Sequence, residues 1–208
     1  SNHLHDGVRE GDVLEVGAPS GRFCLKPGPA ALIAGGIGIT PLLSMLSAGL
    51  REDPSREMWL FYGIRDGSDH IMRPALEALR QAHPNFHLRV CYSEPRSCDR
   101  EGLDYQHRGR IGMPLLRLTL PVRPLQFYVC GPRDMMENLI PGLEAWGIPE
   151  ERIHYEAFGP ASLSRAVRRS ATGARPDPAP SARVTFRQSR KTVVWEESAG
   201  SLLELAEA

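Results

Sequence analysis

The chain has 208 residues, enough for one complete domain and parts of others. Its 25 basic and 25 acidic residues cancel, which leaves no basic surface for nucleic acid, so we expect no nucleic-acid partner. No signal peptide is visible, and the four cysteines form no C-x-x-C pair, so we expect a reduced, cytoplasmic protein. Because the first residue is not methionine, we expect a fragment or a processed chain.

The first 28 residues predict the end of an antiparallel β unit. Two short apolar segments, 13–16 and 23–25, each follow a turn rich in Gly or Pro. Short strands between such turns are typical of antiparallel sheets. This segment is too small to fold alone.

Residues 30–157 alternate between strand and helix patterns. The predicted strands are Ala31–Ala34, Met58–Gly63, His87–Tyr92, Gln126–Cys130 and Ile153–Glu156. The predicted helices are Pro41–Leu50, Met72–Ala82, Pro114–Leu118 and Arg133–Trp146. This alternation predicts an α/β fold with a five-stranded parallel sheet flanked by helices, in which ligands bind at the carboxyl ends of the strands.

The most informative segment is a glycine turn between the first strand and the first helix of this unit. The turn contains Gly35, Gly36 and Gly38, and Thr40-Pro41 opens the helix. The first N–H groups of a helix lack internal partners, and glycine lets an anion approach the backbone, so the turn predicts a phosphate or pyrophosphate site. Thr40 can cap the helix, donate to a phosphate oxygen, or do both, and Pro41 suits a first helical turn.

Two other interpretations of this segment stay open. Residues 30–50 carry no charge, so a hydropathy scan would flag them as a membrane span. The glycines and the proline at the centre of the segment argue against a span. We therefore expect no membrane partner. The glycines can also form a structural turn that binds nothing, because a short glycine motif alone has a real false-positive rate.

Three further strand ends carry residues suited to a dinucleotide. Arg65 can reach a phosphate or a ribose, although surface arginines are often only solvated. Ser93 and Glu94 can bind the adenosine ribose hydroxyls, and an acid there repels a 2′-phosphate, which favours NADH over NADPH. A turn stabilised by the following proline is the alternative at this position.

The last of these strand ends reads Cys130-Gly131-Pro132 and is followed by Met135. Gly131 and Pro132 again open a helix and so predict a second helix start without capping side chains. No histidine or acid lies near Cys130 in the sequence, so we expect a buried thiol that is not a nucleophile.

The composition changes after residue 160. Residues 161–182 are rich in Ala, Ser, Pro and Arg and predict a linker. Arg183–Phe186 and Thr192–Trp195 then predict a hairpin, and Ser201–Ala208 predicts the start of a helix.

In combination and in this order, the motifs resemble the ferredoxin–NADP reductase superfamily. Leu32–Pro41 resembles its nucleotide-phosphate loop, and Phe127–Met136 resembles its nicotinamide-site motif. Ile153–Pro160 resembles the end of the reductase portion of flavohaemoglobins, and residues 1–23 are similar to the last segment of their flavin barrel. The resemblance implies four regions: a barrel remnant at 1–28, an NAD-binding domain at 29–160, the linker at 161–182 and a further segment at 183–208.

The resemblance also implies roles for particular residues. Residues 36–41 would hold the NAD pyrophosphate, and Cys130 would lie beside the nicotinamide, assisting hydride transfer through geometry and charge. Ser1 would approach the flavin pyrophosphate. Ala157, Phe158, Gly159 and Pro160 would lie near FAD, with Phe158 over its ring. The superfamily's Arg-x-Tyr-Ser flavin motif is absent from the chain.

The segment 183–208 resembles the start of a plant-type [2Fe–2S] ferredoxin domain, a partial β-grasp module, without its cluster cysteines. The implied parent protein is an oxidoreductase that passes hydride from NADH or NADPH to FAD. Electrons would then pass to a 2Fe–2S centre, present only in a full-length protein, and to an acceptor such as an oxygenase or haem domain. Two alternatives are a nucleotide-binding module without turnover and a hydrolase or transferase. The second lacks both a Walker-type lysine and a Gly-x-Ser-x-Gly turn.

Overall fold

The computed structural model describes residues 2–18, 20–157, 182–186 and 191–195. Its main sheet has six parallel strands in the order β4-β3-β2-β1-β5-β6. They are β1 Ala30–Gly35, β2 Met58–Ile64, β3 Phe86–Tyr92, β4 His107–Arg108, β5 Gln126–Cys130 and β6 Ile153–Glu156. The predicted α/β class is confirmed, and each of the five predicted strands is present. The sixth strand, β4, has only two residues and was not predicted.

Five α-helices accompany the sheet within the described residues. They are α1 Asn2–Gly7, α2 Ile39–Glu52, α3 Arg73–Ala82, α4 Met113–Thr119 and α5 Arg133–Ala145. Side chains of α2 and α3 pack in one hydrophobic core, and those of α4 and α5 pack in a second. Within the described ranges, no helix is both long and apolar enough to cross a membrane.

Strand β1 separates the two cores. All six of its residues are buried, because parallel strands covered by helices on both faces read as continuous apolar runs. Leu32 contributes to the core under α2 and α3, and its neighbour Ile33 contributes to the core under α4 and α5. The strand therefore anchors both layers and fixes where the glycine turn after it emerges.

The two strands predicted at 13–16 and 23–25 are wrong. The chain forms α1 and then an irregular segment, in which Val13 and Val16 are almost fully exposed. Phe23 and Leu25 instead pack on the core under α2 and α3. The Phe23 ring lies edge-on to the Tyr128 ring, with 5.9 Å between the ring centroids. A strand needs a hydrogen-bonded neighbour, and no strand pairs with this segment within the described part of the chain.

The C-terminal hairpin strands are present as β7 Ala182–Phe186 and β8 Lys191–Trp195, paired antiparallel. Thr185 pairs with Thr192, and their hydroxyls lie 3.1 Å apart. The linker was predicted at 161–182, but its last residue, Ala182, begins β7. The rest of the linker and the predicted helix at 201–208 lie outside the described residues, as do Ser1, Phe158, Gly159 and Pro160.

The loops that follow β1 and β5 approach each other at backbone distance. A Cβ atom added at Gly38 would lie 2.1 Å from the Cys130 carbonyl oxygen. A Cβ atom at Gly131 would lie 2.9 Å from the Gly35 Cα atom. Gly36 has a φ of +52°, a conformation that favours glycine. Glycine is therefore required here by space as well as by backbone conformation.

We predict that Gly38→Ala lowers the free energy of unfolding by about 3 kcal/mol, the usual scale for overpacking against atoms that cannot move aside. The measurement is urea unfolding followed by circular dichroism. Gly17→Ala is the matched control, because a Cβ atom there has no neighbour within 4 Å. Equal midpoints for the two variants would show that the loops are not packed as described.

Candidate nucleotide-binding site

The order of strands places a crevice between β1 and β5. Chain connections run outward from β1 through β2 and β3 on one side, and through β5 and β6 on the other. In open parallel sheets, ligands bind at the carboxyl ends of the strands where this direction reverses. The glycine turn after β1 and the Cys130-Gly131-Pro132 turn after β5 both lie at this edge of the sheet.

A cavity of about 730 Å³ lies at these strand ends. Its volume is within the usual range for small-molecule and cofactor sites. Predicted site residues line it, namely Gly35, Gly36, Arg65, Ser93, Pro132 and Met135. The other residues predicted in these loops are not part of its lining, namely Gly38, Thr40, Pro41, Glu94, Cys130 and Gly131. The structure therefore brings residues from all four predicted loops to one edge, with part of the set outside the cavity itself.

Helix α2 starts one residue before the predicted Thr40-Pro41, and this changes the role of Thr40. Its N-cap is Gly38, which makes no side-chain capping bond. The Thr40 hydroxyl donates to the Ile37 carbonyl oxygen at 3.0 Å, so Thr40 braces the preceding turn instead of capping the helix. Capping, one of the two roles considered for Thr40, is excluded.

The two helix starts at this edge differ in charge. Helix α2 has no acidic residue in its first turn, whereas α5 has Asp134, which lines the cavity. Neither start has a side-chain cap. Because a carboxylate at a helix N-terminus competes with an anionic ligand, the α2 start is the better place for a phosphate.

The loops after β2 and β3 are tied together next to the cavity. The Ser93 N–H donates to the Ile64 carbonyl oxygen at 3.0 Å, and the Glu94 N–H donates to the Arg65 carbonyl oxygen at 2.8 Å. Arg65 and Glu94 are both exposed. These bonds bring the arginine and the acid, which follow different strands, to neighbouring positions.

Cys130 is fully buried at the end of β5. Burial, with a smaller contribution from the charge of Glu156, raises the pKa of the Cys130 thiol to about 11. The thiol therefore keeps its proton at neutral pH, in agreement with the expectation that it is not a nucleophile. Ala157, the one predicted flavin neighbour within the described residues, is half-buried and packs against the core under α4 and α5.

The sequence analysis missed one whole wall of the cavity. Residues Gly109, Arg110, Ile111, Gly112, Met113, Asn138 and Leu139 line it as well. The first five precede or begin α4, where Gly112 is the N-cap. A Cβ atom at Gly63 would lie 3.1 Å from Ile111, which shows how tightly this wall packs on β2. The sequence did contain a signal for this wall, because Gly109 and Gly112 come just before Met113-Pro114, a pair typical of a helix start.

Comparison with known protein families gives a match to the oxidoreductase NAD-binding domain over residues 32–139, just over half of the chain. The chain belongs to this family. The match runs from within β1 to the middle of α5 and so contains the cavity and both glycine turns. The predicted membership of the ferredoxin–NADP reductase superfamily is confirmed by this match together with the relatives described next.

The flavohemoprotein of Rhodopirellula baltica is 39% identical over 171 residues, covering 80% of this chain and 42% of that protein. The flavohem-like FAD/NAD-binding domain of nitric oxide dioxygenase from Vibrio cholerae has a TM-score of 0.64 and 28% identity. It covers 77% of this chain and 64% of that one. Full-length CYP116B46 from Tepidiphilus thermophilus has a TM-score of 0.51 and 27% identity over 99% of this chain and 24% of that one. The chain spans about two fifths of the length of its flavohemoprotein relatives.

A second cavity of about 620 Å³ lies in this NAD-binding domain between α3 and the outer edge of β3. His70 lines it and is 7% exposed. Its Nδ1 atom lies 2.9 Å from the Tyr92 hydroxyl, and its buried Nε2 atom has no hydrogen-bond partner among the described residues. Burial lowers the pKa of His70 to about 4, and the nearby Arg73 guanidinium adds to the effect. The imidazole is therefore neutral at physiological pH.

The pKa values predict that two of the four cysteines react with iodoacetamide in the folded protein at pH 8. Cys24 and Cys98 are exposed, whereas burial raises the pKa of Cys91 to about 12 and that of Cys130 to about 11. Mass spectrometry should show two adducts before denaturant is added, and a Cys24→Ser/Cys98→Ser variant should show none. A third adduct that forms as fast as the first two would contradict the burial of Cys130.

His70 also predicts a loss of stability in acid. Its folded pKa of about 4 lies below the unfolded value of about 6.5, so the unfolded chain binds the proton more tightly. The contribution is complete above pH 6.5 and is lost as the pH falls towards 4, by up to about 3 kcal/mol.

The measurement is the free energy of unfolding at pH 7, 6, 5 and 4 for the wild type and His70→Phe, which cannot titrate. The variant should lose less stability over this range than the wild type. Leu118→Phe is the control, because it adds a phenyl ring at an exposed position of α4 without removing a titratable group, and it should follow the wild type. Parallel pH profiles for His70→Phe and the wild type would refute a buried neutral His70.

Proposed function

We propose that this chain is the NADH-binding part of a flavin-dependent electron-transfer reductase. The observation that carries the proposal is the cavity at the ends of β1, β2, β3 and β5, closed by two glycine turns that approach at backbone distance. The uncapped start of α2 adds a site for a pyrophosphate. The flavohemoprotein relatives support the reductase part of the proposal.

Each predicted loop takes one part of the dinucleotide in this proposal. Residues 36–41 form the loop that receives the pyrophosphate, bound by those of its backbone N–H groups that have no partner within the loop, and Arg65 lies in the cavity wall towards the ribose end. Ser93 and Glu94 bind the adenosine ribose. Residues 130–132 and Met135 receive the nicotinamide at the opposite end.

When bound, NADH supplies a hydride and FAD accepts it. The residues of this chain position the nucleotide and exclude water. Cys130 keeps its proton and so adds no negative charge beside the nicotinamide. The Cys130 carbonyl packs directly against Gly38. This contact sets the distance between the loops proposed for the nicotinamide and the pyrophosphate.

FAD is proposed on the similarity to the Vibrio cholerae FAD/NAD-binding domain and the flavohemoproteins. Ala157 is the one proposed flavin neighbour among the described residues, and its position at the end of β6 places it at the ligand edge of the sheet. Ser1, Phe158, Gly159 and Pro160 complete the proposed set.

The described residues do not fit a 2Fe–2S cluster. No group of three potential metal ligands converges in the described part of the chain, and the sequence has no C-x₄-C-x₂-C motif. The ferredoxin module is proposed on the β7–β8 strand pair and on the sequence resemblance of residues 183–208. We propose a haem or oxygenase domain as the acceptor and the cytoplasm as the location.

Calorimetric titration of NADH and NADPH into the chain, with and without FAD, tests the proposal. We predict that NADH binds roughly tenfold more tightly than NADPH, because the negative charge at the ribose end repels a 2′-phosphate. Glu94→Arg should reverse the preference. Glu52→Arg makes the same charge change at the exposed far end of α2 and should leave the preference unchanged.

A failure of both nucleotides to bind at millimolar concentration with FAD present would contradict the proposed function. Binding with NADH-dependent reduction of added FAD supports a reductase. Binding without any reduction of FAD would instead establish the alternative, a nucleotide-binding module without turnover.

A further inference from the structure

Two arginines lie close to the proposed ribose end of the cavity, and both contact carboxylates. Arg65 follows β2, and Arg96 follows β3 by four residues. The side chain of Arg65 is 62% exposed and that of Arg96 is 49% exposed. A free guanidinium at this place would be a ready ligand for a 2′-phosphate.

Asp66 lies between the two guanidinium groups. Its Oδ1 atom is 3.3 Å from Arg96 Nε, and its Oδ2 atom is 3.7 Å from Arg65 Nε. Asp66 is 7% exposed, and its Oδ1 atom also accepts the Ser68 N–H at 2.8 Å. The Ser68 hydrogen bonds, reinforced by the two arginine charges, lower the pKa of Asp66, so the carboxylate is ionised at neutral pH.

Asp99 holds Arg96 from the other side. Its Oδ2 atom accepts the Arg96 N–H at 2.8 Å and the Gly67 N–H at 3.2 Å, and it lies 4.0 Å from Arg96 Nε. A Cβ atom at Gly67 would lie 2.4 Å from Asp99 Oδ1, so the two loops fit together closely. Asp69, at 3.9 Å from Arg65 Nε, adds one further negative charge to the group.

We propose that Asp66 is a specificity-determining residue, which pairs with Arg65 and Arg96 and thereby prevents them from binding a 2′-phosphate. This inference rests on the proposed function. Glu94 is exposed, so water and salt screen its repulsion of a phosphate, whereas Asp66 is buried and its pairing is screened less. The preference for NADH then has two sources. The guanidinium groups of Arg65 and Arg96 are already paired with carboxylates, and the exposed carboxylate of Glu94 repels a 2′-phosphate.

A purely structural role for Asp66 makes a different prediction. If Asp66 only joined the two loops, its loss would weaken NADH and NADPH binding by the same factor. A specificity role changes the ratio of the two affinities. Asp66→Asn removes the charge and keeps an oxygen that can accept the Ser68 N–H, so it separates these two roles.

The experiment measures the Kd of NADH and of NADPH for the wild type, Asp66→Asn, Arg96→Met and the double variant. We expect Asp66→Asn to bind NADPH about tenfold more tightly, with the Kd of NADH changed by less than about twofold. The double variant should lose most of this gain, because Arg96 is no longer present to bind the phosphate.

Asp53→Asn is the matched control. Asp53 also accepts the N–H of a serine two residues later, Ser55, but it lies at the far end of α2. The control should change neither Kd. An equal change in both nucleotides for Asp66→Asn would overturn the proposal, and a gain in NADPH binding that persists in the double variant would refute the part assigned to Arg96 and leave Arg65 as the released cation.

The outcomes also separate this inference from the function on which it rests. A wild type that binds neither nucleotide refutes the proposed function, whereas NADH binding with an unchanged ratio in Asp66→Asn refutes only the role of Asp66. If Asp66→Asn does not fold, Arg96→Met alone decides. It should leave the affinity of the wild type for NADPH unchanged, and a tenfold loss would show that Arg96 already binds the phosphate.

Discussion

The site depends on the close contact between the backbones of two loops. Gly38 and Gly131 leave the space in which the turn after β1 meets the turn after β5, and a single added Cβ atom would overlap the Cys130 carbonyl. This contact aligns the start of α2 with the end of β5, and with it the proposed pyrophosphate and nicotinamide positions. The buried strand β1, which anchors both hydrophobic cores, keeps the contact in place.

The distribution of charged residues distinguishes the two ends of the site. Helix α2 starts without an acid, and α5 starts with Asp134, so an anionic group is favoured at the first and disfavoured at the second. Near the proposed ribose end, Asp66 and Asp99 pair with Arg96, which in our proposal would otherwise attract a 2′-phosphate. The chain has no net charge, so in our proposal the local pairing of charges, not the overall charge, determines which nucleotide the site prefers.

The sequence predicted those parts of the fold that local patterns determine. Strands β1, β2 and β5 are mainly apolar runs, and β3 and β6 alternate apolar with polar residues. The observed bounds of β1 to β3 differ from prediction by one residue at most at either end. The predictions failed where structure depends on distant partners. Val13 and Val16 have a strand pattern but no neighbouring strand, and β4 is too short to give any pattern. The wall formed by residues 109–113, the burial of His70 and the pairing of Asp66 arise only when separate loops meet.

The central claim is that NADH lies across the two glycine turns. The most direct measurement is the change in backbone amide signals, in ¹H–¹⁵N NMR spectra of the labelled chain, as NADH is added. The account predicts that the largest shifts belong to the amides of residues 36–40, 131 and 133–135, with a second group at 93 and 94. Shifts concentrated instead around His70 and the outer edge of β3 would place the nucleotide in the other cavity and contradict the account.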